Sequence, residues 1–314
     1  MKKKNLLPVL FFVLCLFLTA KPSSAAKIGS FTVSPTSTGF SDQDPDLYGQ
    51  VTSSPSLAVN FSITKLPSDQ IWTLEITANT DLVSGGDTIP AGNIRWTVTG
   101  SGTPTPTFQN GTLGRGIYLQ AGQGPGQHSG DADITSTFYF LLQNYWSYPT
   151  GNYSGTVAFR LSVPRGGGGT ESKTVTATLS VNLGSRAKLN FNGISGLSFP
   201  DAAPDNFPSV SANINPLSVT SSARTGSSQA ATLICLASGD LVSGTDTIAI
   251  SNMTWTATGT GYAAGTMNKT TAKTAGSWTG SGQRMGTFSY FLANSWSYTV
   301  GNYSTSITYT LTAP

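Results

Sequence analysis

Gly151-Asn-Tyr-Ser-Gly-Thr-Val-Ala-Phe-Arg-Leu-Ser-Val-Pro164 and Gly301-Asn-Tyr-Ser-Thr-Ser-Ile-Thr-Tyr-Thr-Leu-Thr-Ala-Pro314 decide the fold class. In the second stretch Ile307, Tyr309 and Leu311 alternate with Ser and Thr, and Tyr153 to Val163 follows the same rhythm. A period of two sends successive side chains to opposite faces of an extended chain, so each stretch reads as a strand with one buried and one wet face. Lys173-Thr-Val-Thr-Ala-Thr-Leu-Ser-Val-Asn-Leu183 alternates through Val175, Ala177, Leu179, Val181 and Leu183, and Trp72 to Ile76 and Ile94 to Val98 do likewise. No window of helical length sustains a 3.6 period, and Gly, Pro and Asn interrupt the chain about every ten residues. The pattern predicts antiparallel β-sandwiches.

The likeness of the two stretches extends along the chain. Asp81-Leu-Val-Ser-Gly-Gly-Asp87-Thr-Ile89 returns as Asp240-Leu-Val-Ser-Gly-Thr-Asp246-Thr-Ile248, and Trp96-Thr-Val-Thr-Gly100 as Trp255-Thr-Ala-Thr-Gly259, both 159 residues on. Phe40, Asp42, Pro45 and Asp46 match Phe199, Asp201, Pro204 and Asp205 at that offset. Asn144-Tyr-Trp-Ser-Tyr148 and Asn294-Ser-Trp-Ser-Tyr298 match at 150, so the first copy holds nine extra residues between its two Trp blocks. They fall in Gly100 to Asp133, a Gly-, Pro- and Thr-rich segment that reads as a longer surface loop. The expectation is all-β: two tandem Ig-like antiparallel sandwiches from an internal duplication.

The first 26 residues read as an export signal, with Lys2, Lys3 and Lys4 ahead of an apolar run from Leu6 to Leu18 and small residues at 23 to 26. The run is shorter than the ~20 residues that span a bilayer. The chain carries 17 Lys+Arg and 14 Asp+Glu, a formal +3. Removing the leader with its four lysines leaves 13 basic against 14 acidic residues, so the basic surplus belongs to the leader. A near-neutral surface leaves no basic patch to favour nucleic acid or an anionic membrane, and with the short leader run removed no membrane insertion of the mature chain is expected. Cys15 leaves with the leader, and Cys235, in an apolar run, reads as a small buried hydrophobe.

The domain reading is a signal peptide at 1–26, a sandwich at 27–164, a Gly-rich linker at 165–172 and a second sandwich at 173–314. The strand at 173–183 has two packings open to it. It pairs back onto the first sandwich, or it opens the second and leaves the first with a bare edge for another chain's strand.

The closing segments, each launched by Gly-Asn-Tyr, resemble the ends of bacterial secreted sandwiches of the spore-coat-U and fimbrial type. Thr174 to Val181 followed by Lys188-Leu-Asn-Phe191 resembles the opening of such domains. Phe159-Arg-Leu161 and Tyr309-Thr-Leu311 stand where WxL-type surface proteins carry Trp-x-Leu, a weaker likeness. The resemblance implies a surface-assembled structural protein without catalytic residues.

Chemistry-bearing residues are few. The chain has one His, His128, in a Gly-rich loop, and no grouping with the pattern of a nucleophile, general base or metal triad. The expectation is therefore no enzyme, no cofactor and no metal. Asp81 and Asp87, with Asp240 and Asp246, admit either a shared hard cation or side-chain capping of a turn, and the shortage of further carboxylates favours caps. Asp42, Asp44 and Asp46 read as a solvated turn. Trp146 and Tyr148, repeated as Trp296 and Tyr298, are the candidate ligand-binding residues, since flat aromatic faces stack on sugar rings. Tyr153 and Tyr303 fit the tyrosine corner of Ig-like sandwiches, so packing at the sandwich end competes with ligand stacking. The expected function is an exported structural or adhesive protein, secreted or at the cell surface, a fimbria-like subunit with assembly by strand exchange as its polymerisation hypothesis. Its partners are other protein subunits, itself included, or surface glycans. The alternative is a pair of carbohydrate-binding modules using the Trp/Tyr cluster.

Overall fold

The computed structural model describes residues 25–127, 130–165 and 168–314. The leader up to residue 24, including Cys15, and His128 lie outside the described residues. The described chain is almost wholly antiparallel β-structure, as the alternating stretches predict, with two single-turn 3-10 helices at Ala91–Asn93 and Ile250–Asn252. Two separate apolar cores form, one drawn from residues up to Leu183 and one from residues after it.

In the first unit, one sheet runs in the order Lys27–Ser34, Leu57–Thr64, Asp131–Gln143, Ile94–Thr103, Gly111–Thr112. The facing sheet runs Ser37–Phe40, Thr170–Leu183, Gly151–Pro164, Ile71–Ala78, Leu119–Pro125, Thr107–Phe108. Between them lie Trp72, Trp96, Phe138, Phe140 and Phe159, all buried. The second unit repeats the first sheet as Arg186–Asn190, Leu217–Arg224, Gly282–Ala293, Met253–Thr258, Gly265–Thr266. Among the described residues its facing sheet has three strands, Lys273–Thr279, Ala230–Ala237 and Ile307–Thr312.

The strand at Thr170–Leu183 corrects the expected boundary. It pairs antiparallel with Gly151–Pro164 along its whole length, from Pro164↔Thr170 to Gly151↔Leu183. Arg165, Gly168 and Gly169 stand at the turn of a hairpin and 170–172 start its second strand, where a linker at 165–172 was expected, and 173–183 belongs to the first sheet system. The turn closes through Arg165 N–H to the Gly169 carbonyl at 3.0 Å, and it needs glycine because Gly168 and Gly169 sit at φ of 98° and 96°. The physical reason for the pairing lies in the alternation. Ala177, Leu179, Val181 and Leu183 are all buried in the first core, and burying each larger aliphatic side chain contributes about 1.5–3 kcal/mol.

The long segment between Gly100 and Asp133 also differs from expectation. Much of it is sheet: Leu119–Pro125 pairs with Ile71–Ala78, just as Lys273–Thr279 pairs with Ala230–Ala237. The extra residues divide around this strand. From Trp96 to its partner Gly111 is 15 residues, against 10 from Trp255 to Gly265, so five of the nine extend the hairpin arm that ends at Thr103. Gly111 and Gly265 are required where they stand, since a Cβ on either would lie 2.4 Å from the ring of Trp96 or Trp255.

If Thr170–Leu183 completes the first core, Leu179→Ala lowers stability by about 2–5 kcal/mol in urea melts followed by tryptophan fluorescence. A change below about 0.5 kcal/mol would show that the strand lies outside the cooperative unit.

Candidate functional site

Tyr153 and Tyr303 make the same local bond. Each phenol donates to a carbonyl four residues upstream, Tyr153 to Pro149 at 3.0 Å and Tyr303 to Thr299 at 2.9 Å, the tyrosine-corner geometry. Tyr148 and Tyr298 also repeat one contact, accepting from the Nδ2 of Asn93 at 2.8 Å and of Asn252 at 2.9 Å. Trp146 Nε1 donates to Asp46 at 2.8 Å and Trp296 Nε1 to Asp205 at 3.0 Å. Asn144 and Asn294 brace the same turn, each giving its Nδ2 hydrogens to two carbonyls, of Gln43 and Tyr48 or of Ala202 and Phe207.

Of the four loop aspartates, Asp81 and Asp240 serve as caps. Asp81 accepts from the Ala91 N–H at 2.9 Å and pairs with Arg115, and Asp240 accepts from the Ile250 N–H at 2.9 Å and pairs with Lys269. Each thus caps the first turn of a 3-10 helix ten residues on. The lysine and the backbone bond together hold the Asp240 carboxyl below its ordinary value.

One end of each unit carries these Trp and Asp residues, and the two ends differ in what covers them. At the first, Arg224 of the second unit enters with its side chain fully buried, 0% exposed. Its guanidinium donates to Asp42 Oδ1 at 2.5 Å, to Asn144 Oδ1 at 2.9 Å and to the Tyr145 carbonyl at 3.2 Å. Asp42 also receives Arg186 at 3.6 Å and the Gly184 N–H at 3.1 Å. Lys188 Nζ lies 2.6 Å from Asp46, and the Thr150 N–H donates to the Thr225 carbonyl at 3.1 Å. These groups form the junction between the sandwiches. Burial pushes the Arg224 guanidinium down and Asp42 opposes it, so it stays charged at neutral pH. The Lys188 ammonium holds the Asp46 carboxyl below its ordinary value, with the Trp146 bond adding to it against partial burial.

At the corresponding end of the second unit no described residue docks. Trp146 is 7% exposed and Trp296 70%. Tyr148 is buried and Tyr298 half-buried. Phe207 and Val300 are exposed. The four residues singled out for ligand stacking thus divide: Trp146 and Tyr148 are enclosed at the junction and offer no free face, and Trp296 alone stands open. The sequence holds the aromatic pairs but no mark that distinguishes a covered end from an open one. Arg224 carried no motif. In the structure it lies opposite Arg186 in the adjacent strand, and the two share Asp42.

The second open feature is an edge. Among the described residues Ile307–Thr312 pairs only with Ala230–Ala237, and no strand covers its other side as Thr170–Leu183 covers Gly151–Pro164. Ser37–Phe40 runs parallel to Thr178–Val181 on that strand's far side. The matching segment of the second unit, 196–199, has no ladder partner, although Leu197 and Phe199 pack on the core. The inward residues show the consequence: Val157, Phe159 and Leu161 are buried, whereas Ile307, Tyr309 and Leu311 are half-buried. Phe191 leans edge-on against Tyr309 with ring centroids 5.0 Å apart, and the Tyr309 hydroxyl lies 2.6 Å from that of Tyr290.

No protein-family model matches the chain, and no curated protein does. Among solved structures, the chain is similar to a tip adhesion subunit of archaic Csu pili from Acinetobacter baumannii, solved with its chaperone. That likeness has 11% identity, covers 90% of this chain and 99% of the other, and has a TM-score of 0.33. The CooA pilin subunit of enterotoxigenic Escherichia coli is 12% identical over 51% of this chain and 99% of its own, at a TM-score of 0.30. The CupB6 tip adhesin of Pseudomonas aeruginosa is 9% identical over 84% and 86%, at 0.29. A domain within a family 123 glycoside hydrolase from Clostridium perfringens gives 12% identity over half of this chain, at 0.26. Likenesses of this depth carry no argument about function.

Arg224→Ala removes the junction's central cation, and Trp146 then becomes accessible to acrylamide while each sandwich keeps its own circular dichroism. Unchanged quenching would assign the junction to other contacts. Acid weakens the same junction. The Asp46 carboxyl is depressed in the folded state, so its contribution is present above the unfolded value, ~3.9, and is lost as pH falls through the folded one. Trp146 exposure is therefore expected to rise below about pH 4.

Alkali acts on the cores. Burial pushes Tyr148 and Tyr153 up to about 12 and the Cys235 thiol up to about 11. Raised folded values give stability that is full below the unfolded values, about 8.5 for the thiol and 10 for the phenols, and is lost through pH 11–12. Native Cys235 is expected to resist a thiol reagent at pH 9 that labels the urea-unfolded chain within minutes.

Proposed function

We propose that this is an exported structural or adhesive subunit of a surface assembly, with a second sandwich built to accept a strand from another protein. The observation that carries the reading is the difference between the two closing strands. Gly151–Pro164 is covered over its full length and Ile307–Thr312 is bare on one side, beside an unpaired segment at 196–199. An exposed row of N–H and C=O groups flanked by half-buried Ile307, Tyr309 and Leu311 is the surface that β-augmentation fills. Main-chain bonds supply affinity there, and the apolar positions set register. The leader-like opening of the chain and the near-neutral composition of the remainder support an exported protein. The recurrence of the tyrosine corner, the Trp–Asp bond and the Asn brace supports an internal duplication, and no arrangement of acid, base and nucleophile at either end competes with a structural role. A carbohydrate-binding pair draws less support, because the first Trp and Tyr of the supposed pair are enclosed.

A synthetic peptide with the sequence of Thr170 to Leu183, added to the full chain, is expected to slow amide exchange along Ile307–Thr312, and antibody to the protein is expected to label structures on the surface of source cells. Unchanged exchange at millimolar peptide together with unlabelled cells would remove the proposal.

A further inference from the structure

We infer that the open end of the second sandwich holds a preformed pocket for an arginine side chain carried by the next subunit's sandwich, made by Asp201, Asn294 Oδ1 and the Ser295 carbonyl. This rests on the strand-accepting reading and specifies the partner. The template is within the chain. Arg224 occupies the matching site of the first unit, donating to Asp42, Asn144 Oδ1 and the Tyr145 carbonyl. Asp201 stands at the Asp42 position and Asn294 at that of Asn144.

The pocket's frame is set before any guest arrives. Asn294 spends both Nδ2 hydrogens on the Ala202 and Phe207 carbonyls, at 2.8 and 3.1 Å, and its own N–H on Pro208 at 2.9 Å. Asn144 makes the equivalent bonds to Gln43, Tyr48 and Gly49. Both amides are thereby fixed with Oδ1 free to accept. Among the described residues Oδ1 of Asn294 has no donor and Asp201 has no partner. An acceptor set of one carboxylate and two neutral oxygens matches the forked, planar donors of a guanidinium better than the point charge of an ammonium. Beside it, Trp296 and Phe207 are exposed, and Asp205 holds the Trp296 Nε1 as Asp46 holds Trp146 while lacking the cation that Lys188 supplies.

The covalent arrangement also fixes the order of the partner's parts. In the first unit the covering strand ends at Leu183, two residues pass, and Arg186 opens the sandwich that carries Arg224 at the end of its second long strand. The partner therefore leads with an alternating strand and follows with an arginine-bearing sandwich. The first unit of a second copy lacks that cation. Arg224 pairs with Arg186 at the start of the ladder in which Thr64 pairs with Lys27 in the first unit, so Thr64 stands in its place. The guest is accordingly a different subunit.

The test converts the chain into its own partner. Residues 170–185 are placed directly ahead of Lys27 in place of 1–26, giving each molecule a leading strand and the two-residue spacer, and association is measured by sedimentation for this chain and for its Thr64→Arg, Asp201→Ala and doubly substituted forms. Head-to-tail association is expected, tightened about tenfold or more by Thr64→Arg, with that gain lost when Asp201→Ala is also present. Association that Thr64→Arg leaves within twofold, or a gain that survives Asp201→Ala, overturns the pocket and leaves the strand-accepting edge standing. No association in any form overturns both.

Discussion

Backbone pairing along an edge strand governs this molecule more than any side-chain chemistry. A strand whose outer N–H and C=O groups have no partner is tolerable when wet, but the apolar side chains on its inner face need a roof as well. In the first sandwich Thr170–Leu183 meets both needs at once, supplying a full-length ladder to Gly151–Pro164 and four buried side chains to the core. Burial of Val157, Phe159 and Leu161, the parallel docking of Ser37–Phe40 and the closed first core all follow from it. Among the described residues the second sandwich has the same front-sheet order and a shorter closing strand without that roof, and its inward side chains stay half-buried.

The covering strand also places the junction. It leaves the first core at Leu183 and the second sandwich begins two residues later, so the second unit has little choice but to dock against the end where the strand emerges. That docking uses charge. Arg224 loses all contact with water, a cost of several kcal/mol for an unpaired ion, and three acceptors around its terminal nitrogens offset part of that cost while Nε stays buried without a partner. A buried ion pair adds little net stability compared with an apolar contact, but it penalises any displaced geometry, because a small shift leaves the charge unpaired. The junction is therefore better suited to fixing an angle between two sandwiches than to gluing them.

The sequence disclosed the strands because period-two alternation is a local property, and it disclosed the recurrence because the turns are built from short motifs with their own chemistry. Asp81 and Asp240 cap by way of a bond ten residues away, and the tyrosine corners close over four, so both could be anticipated from one copy and checked on the other. Ownership of Thr170–Leu183 could not. The alternation of Val175 to Leu183 says that one face is buried and nothing about which core buries it, and four glycines read equally well as a tether or as a hairpin turn. The fate of the aromatic cluster was hidden for the same reason. Trp146 and Trp296 share the Asn-x-Trp-Ser-Tyr motif and the same bond to an aspartate, yet one is enclosed and the other open.

That pair of tryptophans isolates what decides burial here. Within the shared Asn-x-Trp-Ser-Tyr motif the end that carries a docked sandwich has its Trp 7% exposed and the end without one 70%. Phe207 and Val300 of the same unit are exposed as well. In the first unit edge and end are covered together: the strand that covers the edge is the strand that delivers the next domain to the end. On the proposed strand-accepting reading a single occupant fills both, and among the described residues the second sandwich lacks both together.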